Sequence, residues 1–134
     1  MTIWDTAGQE RFRSLSTIFY KQTKCIVFVF DYTSKSSFDA FQKFHKEIVD
    51  NVDDTIPVII VGNKFDLTEK FEVKEEDAKN LAIKNGYYFL STSAKNNTNI
   101  NELFRHVAEV IFSQLKSNGQ NEELPETVNL PQSI

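Results

Sequence analysis

Apolar runs and amphipathic segments alternate along most of this chain. Unbroken apolar runs span residues 25–30 (CIVFVF) and 58–61 (VIIV), and a shorter run spans residues 87–90 (YYFL). Because such runs offer apolar side chains to both faces of a strand, they predict strands that are covered on both faces, as in a parallel sheet. Residues 3–4 (IW) predict a fourth, short strand that ends at Asp5.

Apolar residues at helical spacing separate these strands. One helix is predicted over residues 36–51, and another over residues 75–85, with acidic residues in its first turn and Gly86 at its C-terminal cap. The last helix starts at Asn99, which together with Glu102 forms a pattern similar to a capping box. Its apolar stripe is followed by Gly119 and consists of Ile100, Leu103, Phe104, Val107, Val110, Ile111 and Leu115.

The alternation of strands and helices predicts a single α/β domain over residues 1–116. Its sheet is expected to be mostly parallel, with helices on both faces, and 134 residues are enough for one such domain. Residues 117–134 are polar and acidic and contain two prolines, so this segment is predicted to be a disordered tail.

The composition narrows the range of partners and compartments. A formal charge of −4 argues against a nucleic-acid surface or a polybasic membrane patch. The only cysteine, Cys25, lies in an apolar run and is predicted to be a small buried hydrophobe, which favours a reducing, cytoplasmic setting. The printed C-terminus has no cysteine for a prenyl group, so a location at endomembranes would need an anchor or a partner supplied elsewhere.

Polar residues follow the predicted strands at the points where the strands end. They are Asp5, Asp31, Asn63-Lys64 and Ser93-Ala94-Lys95. In open α/β sheets, ligands bind at the carboxyl edge of the strands, so these groups are expected to share one rim and to form a site there.

The first of these polar segments suits a nucleotide phosphate with its metal. Asp5 is placed to hold Mg²⁺, directly or through water, and Gly8 lets a backbone N–H approach an anion. Gln9, the next residue, is placed to orient a water molecule. Taken alone, the same pattern is also compatible with an ordinary polar loop.

The segment Asn63-Lys64-Phe65-Asp66 suits a guanine base. A carboxylate such as that of Asp66 accepts two hydrogen bonds from guanine N1–H and the exocyclic amine, which adenine does not offer in that arrangement. The Lys64 stem can lie over the base, and Asn63 can brace the loop. A polar turn after a strand is the competing interpretation. The triplet at residues 93–95, whose backbone N–H groups suit guanine O6, is a weak signal by itself.

Taken together, DTAGQE, NKFD and TSAK resemble the nucleotide motifs of Ras-superfamily small GTPases, and Trp4 with the RF at residues 11–12 resembles the Rab branch. The resemblance implies a P-loop NTPase-type fold that binds GTP or GDP with Mg²⁺ and hydrolyses GTP in vesicle traffic. It implies that Asp5 is the Mg²⁺-linked acid, Gly8 the γ-phosphate contact and Gln9 the residue that positions water. It further implies guanine contacts from Asn63, Lys64, Asp66, Ser93, Ala94 and Lys95, and contacts with Rab regulators and effectors through Ala7, Gln9, Arg11 and Phe12 of the switch II segment.

The printed sequence lacks two parts of that family pattern, the phosphate-binding loop and the switch I threonine. A phosphate-binding loop requires G-x-x-x-x-G-K-[ST], and no two of Gly8, Gly62, Gly86 and Gly119 have that spacing. The chain is therefore expected to be an N-terminally truncated small GTPase with weak or no nucleotide binding of its own. The strand at residues 25–30 is expected to keep an open apolar edge, which favours self-association.

Three interpretations are compatible with the sequence. The chain is a piece of a complete Rab-like GTPase, a short non-catalytic module that binds Rab regulators or effectors, or an inactive degenerate product. An in-frame strand, GxxxxGK[ST] and helix encoded upstream of Met1 would favour the first interpretation.

Overall fold

The computed structural model describes residues 1–5 and 20–119, and within them it contains one three-stranded parallel sheet. Its strands are β1 (Ile26–Asp31), β2 (Val58–Asn63) and β3 (Tyr88–Ser91), with β2 in the middle. The register pairs Ile26 with Val58 and Ile59 with Tyr88. This arrangement confirms the predicted parallel α/β fold.

Four α-helices and one 3₁₀ turn connect or follow these strands in the described part of the chain. They are α1 (Lys35–Asp39), α2 (Phe41–Asn51), the 3₁₀ turn Thr68–Lys70, α3 (Glu75–Asn85) and α4 (Ile100–Ser117). The limits of α3 and its cap at Gly86, whose φ is +70°, confirm the prediction. The single helix predicted over residues 36–51 is wrong, because the structure divides it at Ala40 and starts it with a Ser34 side-chain cap.

Helices cover both faces of the sheet, as predicted. β2 is buried along five of its six residues because it carries apolar side chains to both faces. One face packs against α4 through Ile59, Val61, Leu103 and Val107. The other face packs against α2 and α3 in an aromatic-rich cluster of Phe30, Tyr32, Phe41, Ile60, Val73, Ala78 and Ala82.

The prediction that β1 is covered on both faces is wrong for the described residues. Val27 and Val29 pair in register with Ile59 and Val61 and therefore share their face of the sheet. Nevertheless, Val27 is 37% exposed and Val29 is 55% exposed, because α4 packs over the neighbouring strand. Beyond β2, no other described strand pairs with β1.

The short strand predicted at residues 3–4 is also wrong. The segment from Met1 to Asp5 has no regular secondary structure, and Ile3 and Trp4 are exposed. A strand needs a ladder partner to satisfy its backbone groups, and none of the described strands runs beside this segment.

The ends of the predicted domain and tail are only partly described. Ser117, which the sequence placed in the tail, is the last residue of α4, and Gly119 follows with a φ of +71°. The rest of the predicted disordered tail, from residue 120, lies outside the described residues. Within residues 1–5 and 20–119, no helix has both the length and the apolar character that crossing a membrane requires.

Candidate functional site

The loops after β2 and β3 are joined by the side chain of Asn63. Its Oδ1 accepts a hydrogen bond from the Ala94 backbone N–H at 3.1 Å and another from Thr92 Oγ1 at 3.2 Å. The backbone adds two links, from Thr92 N–H to Gly62 O and from Phe65 N–H to Thr92 O. Adjacent parallel strands end at the same edge, so this bracing follows directly from the topology. Asn63 therefore braces the loop, as the sequence predicted.

Asp66 is oriented by a hydrogen bond from the third polar segment. Ser93, which is almost fully buried, donates from Oγ to Asp66 Oδ1 at 2.7 Å. The Ser93 backbone is itself held in both directions by Thr98, and its Oγ accepts from the Asn96 N–H. The structure records no described partner for Asp66 Oδ2. One carboxylate oxygen is thus fixed by the fold while the other stays available.

Lys64 has an unusual backbone conformation for a residue with a side chain. Its φ is +63°, in the left-handed region, which costs a non-glycine residue about 1–2 kcal/mol. The Lys64 carbonyl accepts from the Leu67 N–H at 3.0 Å, which closes the turn of the NKFD segment. Non-glycine residues held in this region concentrate at functional sites, because the surrounding structure has to impose the conformation.

The Lys64 ammonium is held by Asp31, the last residue of β1. Lys64 Nζ lies 2.7 Å from Asp31 Oδ2, while Asp31 Oδ1 accepts from both the N–H and the hydroxyl of Thr33. Partial burial acts to raise the pKa of Asp31, but the hydrogen bonds from Lys64 and Thr33 outweigh it and hold that pKa below its ordinary value. Asp31 is therefore a carboxylate near neutral pH.

Residues of the two loops after β2 and β3 line an open cavity of about 340 Å³ at the carboxyl edge of the sheet. That volume falls at the lower end of the range for small-molecule sites. Five of the predicted site residues are therefore brought together here, and Ser93 lies behind them as a hydrogen-bond donor to Asp66. The lining residues are Asn63, Lys64, Asp66, Leu67, Ala94 and Lys95.

Of the predicted phosphate and metal residues, Asp5 is the one that the structure describes, and it does not line this cavity. Asp5 lies in the exposed N-terminal segment, and the structure records no hydrogen bond or ion pair for it among the described residues. Gly8 and Gln9 lie outside the described residues, as do the predicted partner contacts Ala7, Arg11 and Phe12. No cluster of three or more candidate metal ligands is found within residues 1–5 and 20–119.

Two features of the site were missed from the sequence. Asp31 was predicted to lie on the rim but was given no role. The strand register pairs Asp31 with Asn63, so a prediction of the strand order would have placed these two residues side by side. Tyr32 was missed entirely. Its buried ring stacks on Phe71 at 4.4 Å between centroids and lies 5.5 Å from Phe65, so it supports the NKFD segment from behind.

Comparison with known proteins identifies the family of this chain. The model of the Ras family matches residues 1–113. The chain belongs to the Ras family. Its relatives include Ras-related protein Rab-8B of Pongo abelii, which is 40% identical over 123 residues, or 90% of this chain and 59% of that protein.

Two other relatives extend the same result. Ras-related protein Rab-8 of Diplobatis ommata is 38% identical over 129 residues, covering 96% of this chain and 61% of the relative. Ras-related protein RABA6a of Arabidopsis thaliana is 40% identical over 125 residues, covering 87% and 54%. This Ras-family chain is thus Rab-like, as its motifs predicted, and it spans about three fifths of the length of the first two relatives.

Proposed function

We propose that the cavity at the carboxyl edge of the sheet binds the guanine base of GTP or GDP. The observation that carries this proposal is the orientation of Asp66. Ser93 occupies Oδ1 of that carboxylate, and Oδ2 has no described partner beside a cavity of ligand size. A carboxylate in this position suits the N1–H and exocyclic amine of guanine, whereas adenine offers no such pair of donors.

The other lining residues complement the base in different ways. The aliphatic stem of Lys64 provides an apolar wall, and Asn63 braces the two loops. The Ala94 N–H is engaged by Asn63 Oδ1, so it is less suited to guanine O6 than the sequence suggested. The next N–H, that of Lys95, has no partner among the described residues, and it is the better candidate for contacting O6.

We further propose that the chain contributes to a Rab-like GTPase that switches between GTP and GDP in vesicle traffic. In that protein, the Asp5 carboxylate would hold Mg²⁺, which neutralises phosphate charge when bound. Gly8 would contact the γ-phosphate and Gln9 would position the attacking water. Regulators and effectors would contact Ala7, Gln9, Arg11 and Phe12. The domain, predicted over residues 1–116, would extend to the end of α4 at Ser117, and the tail would follow it.

Contacts with the guanine base alone, without contacts with the phosphates, support only weak binding. Each charge-assisted hydrogen bond contributes roughly 1.5–3 kcal/mol, whereas the loss of rigid-body freedom on association costs roughly 4–15 kcal/mol. We therefore expect the 134-residue chain to bind guanosine monophosphate with a millimolar Kd. This range is accessible to NMR titration.

Asp66→Asn tests the proposed base site. The asparagine keeps an oxygen for Ser93 but places an amide donor toward the base, which suits the carbonyl of xanthine. In the parent chain, GMP should shift the amide signals of Asn63, Lys64 and Lys95 more than AMP does. In Asp66→Asn, xanthosine monophosphate should replace GMP as the preferred ligand.

Asp50→Asn provides the matched control, because it makes the same charge change at an exposed position on α2. It should leave the preference for GMP unchanged. If the parent chain responds equally to GMP and AMP, or if Asp66→Asn keeps its preference for GMP, Asp66 does not recognise the base.

A further inference from the structure

The Asp31 carboxylate is fixed on both of its oxygens. Oδ1 accepts two hydrogen bonds from Thr33, at 2.8 Å and 2.7 Å, and Oδ2 faces Lys64 Nζ at 2.7 Å. The Asp31 backbone is anchored as well, because its N–H donates to Ser37 Oγ at 2.9 Å at the end of β1. The acceptor for the Lys64 ammonium is therefore presented by a rigid strand end.

Lys64 is otherwise free to move at its outer end. Its side chain is 51% exposed, and a lysine stem has four carbons with many rotamers. The left-handed backbone at Lys64 sets the direction in which the stem starts, and the ion pair fixes where it ends. With both ends held, the stem lies along the cavity that it lines.

We propose that Asp31 is a positioning residue of the base site: by holding the Lys64 ammonium, it keeps the Lys64 stem as one wall of the cavity and strengthens the binding of a guanine base. This proposal rests on the proposed function of the cavity. Asp31 does not line the cavity, so it acts through Lys64.

A purely structural role for this pair predicts a different result. Removal of the pair would then lower the unfolding midpoint. Half-exposed ion pairs contribute little to stability, so we expect the midpoint to stay nearly unchanged. If the pair serves positioning, its removal should instead weaken ligand binding. Stability and affinity measured on the same variants separate the two roles.

Asp31→Asn is the variant of choice, because it keeps an oxygen for Thr33 while it removes the charge that holds Lys64. By NMR titration with GMP, its Kd should be about threefold higher than that of the parent chain, with an unchanged urea midpoint. In a Lys64→Met background, which keeps an apolar stem without an ammonium, Asp31→Asn should have no further effect on the GMP Kd. This double-mutant cycle isolates the coupling between the two residues.

Asp39→Asn is the matched control. It removes the acid of another exposed ion pair, between Lys35 and Asp39 on α1, away from the cavity lining. Its Kd for GMP should equal that of the parent chain.

Several outcomes would overturn the proposal. An unchanged or lower Kd in Asp31→Asn would show that the ion pair does not assist the base, or that it competes with the ligand for the ammonium. An equal loss of affinity in the Lys64→Met background would show that Asp31 acts by another route. If GMP binds the parent chain but the variants do not show the expected changes in Kd, the proposed base site stands and the positioning role falls. If the parent chain itself does not respond to GMP, the base site and the positioning role both fall.

Discussion

Gly62 occupies a position at which two aromatic rings leave no room for a side chain. A Cβ built there would lie 2.5 Å from Tyr32 Cε2 and 2.7 Å from Phe30 Cζ. Both rings belong to the buried cluster and cannot move into solvent. Gly62→Ala should therefore reduce the free energy of unfolding by about 1–3 kcal/mol, measured by urea denaturation followed by far-UV circular dichroism.

Gly86→Ala gives a useful comparison, because nothing lies within 4 Å of the built Cβ there and only its φ of +70° opposes a side chain. Its effect should be about 1 kcal/mol. If Gly62→Ala proves milder than Gly86→Ala, the packing around Tyr32 is looser than the distances indicate.

Cys25 should be slow to react with alkylating reagents at neutral pH. Cys25 is only partly buried, not fully buried as the sequence predicted, but this burial still raises the pKa of its thiol to about 11, and the thiolate is the reactive form. The alkylation rate of the folded chain should keep rising with pH toward 11, whereas the chain in urea should level off above about 9. Because the folded pKa is raised, this thiol stabilises the fold below the unfolded pKa, and that contribution is lost as pH rises through 11. A plateau near pH 9 in the folded chain would contradict the raised pKa of Cys25.

At the level of single residues, the sequence predicted which residues lie together better than their conformation. Asn63, Lys64 and Asp66 were chosen because their residue types and spacing suit a base, and the structure places all three around one cavity. The left-handed backbone of Lys64 was not predictable, because lysine has no intrinsic preference for it. The pairing of Lys64 with Asp31 depends on the strand order, which residue types do not encode.

At the level of elements, local signals predicted α3 well and the start of α4 poorly. Glutamates and an aspartate in the first turn and Gly86 at the cap act within one helix, so α3 was predicted with its limits. The capping box at Asn99 is wrong. Asn99 is left-handed, with a φ of +59°, and its Nδ2 donates to the Ser91 carbonyl at 2.8 Å, so a tertiary contact replaced the expected local one.

Asn99 therefore connects the start of α4 to the end of β3. Two replacements of Asn99 separate the contribution of its hydrogen bond from the cost of its left-handed backbone. Asn99→Ala should reduce the free energy of unfolding by about 2 kcal/mol, because it loses the hydrogen bond and strains the left-handed backbone. Asn99→Gly loses only the hydrogen bond and should reduce it by about 1 kcal/mol. Equal effects of the two variants, measured by thermal unfolding, would show that the backbone conformation carries no cost.

At the level of the whole molecule, the apolar runs predicted a parallel sheet but not the cover of each face. The pattern of β1 is that of a strand with two apolar faces, and the structure confirms the strand. Hydrophobicity does not specify which element supplies the cover, so the exposure of Val27 and Val29 was not foreseen. The short strand at residues 3–4 failed for a related reason, since a strand depends on its neighbour.

The exposed side of β1 predicts that the 134-residue chain self-associates. Val29 is 55% exposed beside a strand edge that no other described strand pairs, and such edges favour pairing with another chain. Size-exclusion chromatography with light scattering should show dimers or larger species whose fraction rises with concentration. Val29→Lys should shift the population toward monomer.

Val49→Lys on α2 is the control for this effect, because Val49 is similarly exposed but lies on a helix. It should leave the distribution of species unchanged. A monomer at all concentrations in the parent chain, or an equal effect of both lysine variants, would show that β1 is not the contact.

The position of Trp4 affects how this protein is observed by optical methods. Trp4 is the only tryptophan, is 67% exposed, and belongs to none of the core clusters. Tryptophan emission therefore reports the environment of the N-terminal segment rather than that of the three core clusters. Tyr32 is fully buried among aromatic rings, so its near-ultraviolet ellipticity follows the loss of packing. A melting curve recorded by tryptophan fluorescence therefore follows the N-terminal segment, whereas one recorded by the near-ultraviolet signal of Tyr32 follows the core beside the cavity.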